Sequence, residues 1–165
     1  MALVLSGDAG ITFPVTAGSA SAVQASSGRV LQVVQGTYST QVTTSAGPVD
    51  TGLSATITPS SASSKILIML MQEFYLYGGA TDAGAIISLL RNGSAVITVN
   101  GQSIYASGGV PNAEIILNLP VTYLDSPAST SALTYKTQST ATSGGTIATS
   151  WNSNISTIIL MEIAA

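Results

Sequence analysis

The chain has 165 residues, with four Lys or Arg, seven Asp or Glu, no His and no Cys, for a formal net charge of −3. That length suits one domain with a single core. Without His or Cys there is no imidazole base, thiolate nucleophile, disulfide framework or soft metal ligand. The four cations (Arg29, Lys65, Arg91 and Lys136) are scattered, so the clustered basic footprint of a nucleic-acid binder is missing.

Charged residues make up 7% of the chain, where soluble domains average roughly 25%. Ser, Thr, Gly and Asn replace them. Such a surface gains little solubility from charge repulsion and suits a subunit locked into an assembly. No apolar run approaches the ~18 residues of a membrane-spanning helix, so membrane insertion is not expected. The opening Met1–Asp8 has no basic region and no signal-peptide core, which predicts synthesis in a cytoplasm without a secretion signal.

Residues 1–27 are rich in Gly, Ala and Ser and show no period, so they read as an extended attachment arm. Ile11, Phe13 and Pro14 form the bulky group in its middle and are the candidate anchor. From residue 28 to 165 strand signals follow one another. Val30–Val34 is the first. Val49–Thr58 alternates, with Leu53, Ala55 and Ile57 on one face and Ser54 and Thr56 on the other. After a turn-rich stretch, Lys65–Met71 is apolar at consecutive positions and continues into Glu73–Tyr77.

A strand apolar on both sides must be covered on both faces, and one small domain has a single interior. Ile66, Leu67, Ile68, Met69 and Leu70, with Ile159 and Met161 near the chain's end, are therefore the candidate interface with other copies of the chain. Further strands are predicted at Ala85–Leu90 and at Ala95–Val99 across an Asn92-Gly93 hairpin turn. Three more follow: Ala113–Val121 closed by Pro120, Leu133–Thr137, and Ser156–Ile163. A Ser/Thr/Gly loop is expected around residues 140–150. No segment keeps a 3.6-residue period, so the expected fold is an all-β sandwich of jelly-roll type.

The carboxylates Asp8, Asp50, Glu73, Asp82, Glu114, Asp125 and Glu162 are spread out, with no two within four residues. No acid–base pair or metal site is read from them, and neither catalysis nor a cofactor is expected. Gly78-Gly79 and Gly108-Gly109 lack the helix and Lys of a phosphate loop. The aromatics Phe74, Tyr75, Tyr77, Tyr105, Tyr123 and Trp151 could stack on sugars, but in a sandwich of this size core or interface packing is the stronger expectation.

Four stretches together resemble a known family: Arg29-Val30-Leu31-Gln32-Val33-Val34; Leu53 to Leu67 with its Thr58-Pro59-Ser60-Ser61 turn; Leu124-Asp125-Ser126-Pro127 through Tyr135-Lys136; and Ser156-Thr157-Ile158 through Leu160-Met161-Glu162-Ile163. They are similar to small structural proteins of tailed bacteriophages, met in aquatic and cyanobacterial phages and in tail-fibre-like proteins. The opening Ser6-Gly7-Asp8 and Gly10 to Pro14 is similar to the start of such proteins. The likeness covers most of residues 1–58 and 124–165 and is weak across 78–120. It implies a homotrimeric jelly roll on the exterior of the virion. The expected role is a non-enzymatic short tail-fibre or baseplate-tip protein contacting the host surface, its arm docked on a baseplate or major capsid protein. A trimeric capsid decoration (cement) protein is the alternative. Loops near 78–83, 100–112 and 140–150, with Tyr77, Tyr105 and Asn112, are the expected contacts to a host surface glycan.

Overall fold

The computed structural model describes residues 4–6, 10–12, 28–78, 83–99, 105–106, 113–142 and 144–165. Two short strands, β1 (Val4–Ser6) and β2 (Gly10–Thr12), pair as an antiparallel hairpin. The head begins with β3 (Val30–Tyr38), β4 (Val42–Thr44), β5 (Val49–Ile57) and β6 (Lys65–Gly78). β7 (Ala83–Arg91), β8 (Ser94–Val99), β9 (Tyr105–Ala106) and β10 (Ala113–Asp125) follow. β11 (Leu133–Thr142), β12 (Thr146–Thr149) and β13 (Ser156–Ile163) complete it.

The eight long strands form two sheets. The first runs β3-β13-β6 with β10 on the far side of β6, and the second runs β5-β11-β7-β8. Numbered by themselves, these eight pair first with last, second with seventh, third with sixth and fourth with fifth: β3 with β13, β5 with β11, β6 with β10, β7 with β8. A long hairpin rolled onto itself gives that pattern, and the fold is the expected jelly-roll sandwich. Period-two alternation puts it together. Leu53, Ala55 and Ile57 of β5, with Leu133 and Tyr135 beside them on β11, face Ile66, Ile68 and Leu70 of β6 across one core. Asn92 and Gly93 both have positive φ, 48° and 88°, and make the two-residue turn between β7 and β8.

Three expectations need correction. Ile66, Ile68 and Leu70 are not interface residues: they point inward and fill the sandwich's own core. The continuous apolar run hides a normal alternation, in which only the odd positions face out. Pro120 does not close its strand. β10 continues to Asp125, because β6 is its one strand partner among the described residues and an edge strand tolerates a missing N–H. Residues 140–150 are not an outward loop, since Thr146–Thr149 is a strand between β4 and β6 with Ile147 and Ala148 sealed from solvent.

The core has two apolar halves. One gathers around Leu53, Ile68 and Tyr135, and the other around Phe74, Leu76, Ile87 and Ile147. Near their boundary a buried polar chain crosses from sheet to sheet. The Gln72 amide donates to Ser156 Oγ at 2.8 Å, and the Thr137 hydroxyl donates to Gln72 Oε1 at 2.8 Å. Thr51 then donates to Thr137, whose proton is already committed.

Candidate assembly face and aromatic cluster

Two buried carboxylates, Glu162 and Asp125, are the centres of structural clamps. Glu162 accepts hydrogen bonds from the Ser60 N–H and hydroxyl and from Gln32 Nε2, which ties the Thr58–Ser64 turn to the first sheet. Burial opposes its ionisation, yet the bonds from Ser60, Gln32 and Ser64 together outweigh burial and hold the carboxyl at about 2. At a second clamp, Arg91 Nη1 donates to both Asp125 oxygens at 2.8 and 2.6 Å, and the Tyr135 hydroxyl donates to Asp125 Oδ2 at 2.6 Å. Burial, then the bond to Asp125, pushes the Tyr135 phenol up. Every carboxylate oxygen of the two clamps has an internal hydrogen-bond partner.

The outer face of the first sheet is different. Strand register lays its side chains out in rungs. Val33, Met161, Leu67 and Leu124 form one. Gln35, Ile159, Met69 and Thr122 form the next, and Thr37, Thr157, Met71 and Pro120 the third. No charged residue stands in these three rungs. Val33 is 56% exposed, Leu124 49%, Met71 46% and Met69 42%. A shallow cavity of about 350 Å³ opens between Met69, Met71, Pro120, Thr122, Thr157 and Ile159. The second sheet's outer face carries Ser54, Thr56, Thr134, Lys136 and Gln138, with Lys136 and Gln138 both bonded to Asp50. The β5-β11 side of the sandwich is therefore polar and charged, while the three rungs opposite are uncharged, with eight apolar side chains and four polar ones.

Of the sequence-predicted interface residues, Leu67, Met69, Ile159 and Met161 lie together on this apolar face. Val33, Met71, Pro120 and Leu124 join them and were missed. Val33 and Leu124 sit far away in sequence, so only strand register brings them alongside. Ile11 belongs to β2, but its side chain, like Phe13 and Pro14, lies outside the described residues, as do Asn112 and the Tyr105 side chain. Among the described residues no group of three or more Asp or Glu could hold a metal ion.

Tyr77, the remaining candidate, lies toward the other end of β6. Its ring stacks on Tyr75 with centroids 4.8 Å apart and planes at 23°. Trp151 meets the same Tyr75 ring at 4.4 Å with the planes tilted by 40°. Tyr75, in contact with both, is 8% exposed, while Tyr77 and Trp151 are half-buried. A hydrogen bond to Glu114, with burial and the charge of that carboxylate, pushes the Tyr75 phenol up to about 12. Glu73 is buried beside the Trp151 loop. Its main-chain oxygen accepts the Ser150 N–H and its Oε2 accepts the Trp151 N–H, while Oε1 has no partner. Burial raises its carboxyl above the usual range, against the opposing bond from the Trp151 N–H and the influence of the Asn154 side chain.

No protein-family model matches the chain, and no curated protein matches it. Solved structures with a similar strand arrangement include dimeric latent PorU from Porphyromonas gingivalis, at 10% identity and a TM-score of 0.42 over 91% of this chain and 14% of that one. A VP2 subviral particle of infectious bursal disease virus is similar at 15% identity and 0.36, over 99% and 46%. The Gt strain of that virus is similar at 17% identity and 0.33, over 99% and 47%. This chain spans less than half the length of each, and nothing about function is carried over from them.

Proposed function

We propose that the chain is a non-enzymatic structural protein of a tailed-phage virion. Residues 28–165 form a head that associates as a homotrimer through the three rungs on the outer face of the β3-β13-β6-β10 sheet, with the Tyr75–Tyr77 end of that face outside the contact. Residues 1–27 attach it to a baseplate or capsid protein, and the Tyr77 end faces the host surface. The observation that carries this reading is the run of three uncharged rungs from Val33 to Leu124 and from Thr37 to Pro120, set against a polar second sheet. A face without charge offers no complementarity to a charged partner, and another copy presents the same apolar surface. Contiguous exposed apolar area of this kind marks an interface, and a patch of ~800 Å² per partner is the usual size.

Analytical ultracentrifugation of the full chain at micromolar concentration tests it. A trimer in the wild type that becomes a monomer with Met69→Glu supports the reading, and a monomeric wild type overturns it. Copy number per particle, counted by quantitative mass spectrometry, then places the protein. A few tens of copies mean a tail fibre or baseplate tip, and hundreds mean capsid decoration.

A further inference from the structure

We propose that the Trp151–Tyr75–Tyr77 stack is a binding platform for the apolar face of a neutral sugar unit. The proposal rests on the host-contact part of the reading above and is independent of trimerisation. β12 and β13 lie along the same side of β6, pairing with Phe74–Tyr77 and with Lys65–Met71 respectively. A straight strand could join them past Gln72 and Glu73. Instead the chain leaves the sheet from Ser150 to Ile155 and sets Trp151 over Tyr75.

That excursion is held under strain. Ser150, Asn152 and Ser153 all have left-handed φ, at 51°, 54° and 63°, although none is glycine. Such conformations persist only where the surroundings over-determine them, and they cluster at functional sites. Glu73 supplies the restraint: it is 2% exposed, and one of its carboxylate oxygens is buried without a partner. A loop that only had to cross the sheet would need neither the strain nor the buried acid. Three departures from local rules thus coincide at the chain's one tryptophan.

The surroundings select the ligand. Trp151 and Tyr77 are only half-buried, and aromatic rings of this kind suit the C–H face of a pyranose. Glu114 lies opposite Tyr77 and Asn118 opposite Glu73, both exposed, and Asn152 and Asn154 are exposed on the loop. Carboxylate and amide groups pair with sugar hydroxyls. All four cations lie elsewhere: Lys65 is at the opposite end of β6, Arg29 is just before β3, and Arg91 and Lys136 are in the second sheet. The absence of positive charge disfavours acidic sugars.

The test is affinity electrophoresis of the full chain through gels containing dextran, mannan, galactan, xylan or the acidic polysaccharide alginate, with the emission of Trp151 followed in solution. The expected result is retardation by at least one neutral polysaccharide with a saturable blue shift. Trp151→Ala should weaken retardation tenfold or more and Tyr77→Ala several-fold, at unchanged oligomeric state. If Trp151→Ala fails to fold, Tyr77→Ala decides. No retardation by any neutral polysaccharide overturns the proposal, as does retardation that survives both substitutions. A saturable response only to alginate, or only to choline as a cation probe, overturns it too. A trimer that binds no sugar removes this site alone, and a monomer that binds sugar removes the assembly reading alone.

Discussion

Glu162 is almost sealed from solvent, yet three side chains donate to it and its carboxyl stays ionised down to about pH 2, against an ordinary value of 4.5. A depressed folded-state value means that the contribution is fully present above pH 4.5 and is lost as pH falls toward 2. Glu73 runs the other way. Burial raises its folded value, so folding favours the protonated form and ionisation works against the fold as pH rises through the carboxylate range. Thermal melts between pH 2 and pH 7 should therefore diverge for two variants. Glu162→Gln should be clearly less stable than wild type at pH 7 and nearly equal to it at pH 2. Glu73→Gln should be more stable at pH 7 and equal below pH 4. Gly52 is a third sensitive residue. Its φ is +87°, and a Cβ there would collide with Cζ of the Tyr38 ring. Gly52→Ala should lose about 1–3 kcal/mol in chemical denaturation, whereas Gly47→Ala, with open space around it, should lose little.

Among the elements, β6 organises the molecule. It pairs with β10 along one side and with β13 and β12 along the other, and it supplies both halves of the core. Gln72 sits between those halves and bonds to Thr137 and Ser156. Replacing it by Leu keeps the volume but removes one partner from each of two buried hydroxyls, Thr137 keeping Thr51 and Ser156 keeping Ser150 and the Glu73 N–H, for an expected loss of about 1–2 kcal/mol. The short strand β12 is a second test. Ile147 is fully buried against Phe74, Leu76 and Ile87, so Ile147→Ala should lose about 2–4 kcal/mol by urea denaturation. A residue on a surface loop would show almost no change.

At the scale of the whole molecule, the apolar outer face and the core predict separable effects. Met69 is 42% exposed in the single chain, so Met69→Glu should leave the fold of the head intact, as judged by far-ultraviolet circular dichroism, while abolishing self-association. Leu53→Glu, placed in the core, should instead unfold the head. Deleting residues 1–27 should leave the melting of the head unchanged and remove the protein from particles. A truncated chain that still incorporates would move attachment onto the β-head.

The alternation of Leu53, Ala55 and Ile57, the Asn92-Gly93 turn and the regular spacing of apolar runs were enough to reach a jelly roll, because period-two burial and positive-φ turns are local properties. The absence of His, Cys and clustered cations was equally legible, since composition needs no fold. The direction in which each residue of Lys65–Met71 points was not legible. All seven positions but the first are apolar, and a one-residue change of register would exchange the core set Ile66, Ile68 and Leu70 for Leu67, Met69 and Met71. Pairing with β10 and β13 decides which set is buried. The same pairing brings Val33 and Leu124 onto one face and Trp151 onto Tyr75, contacts between residues far apart in the chain that no local pattern encodes.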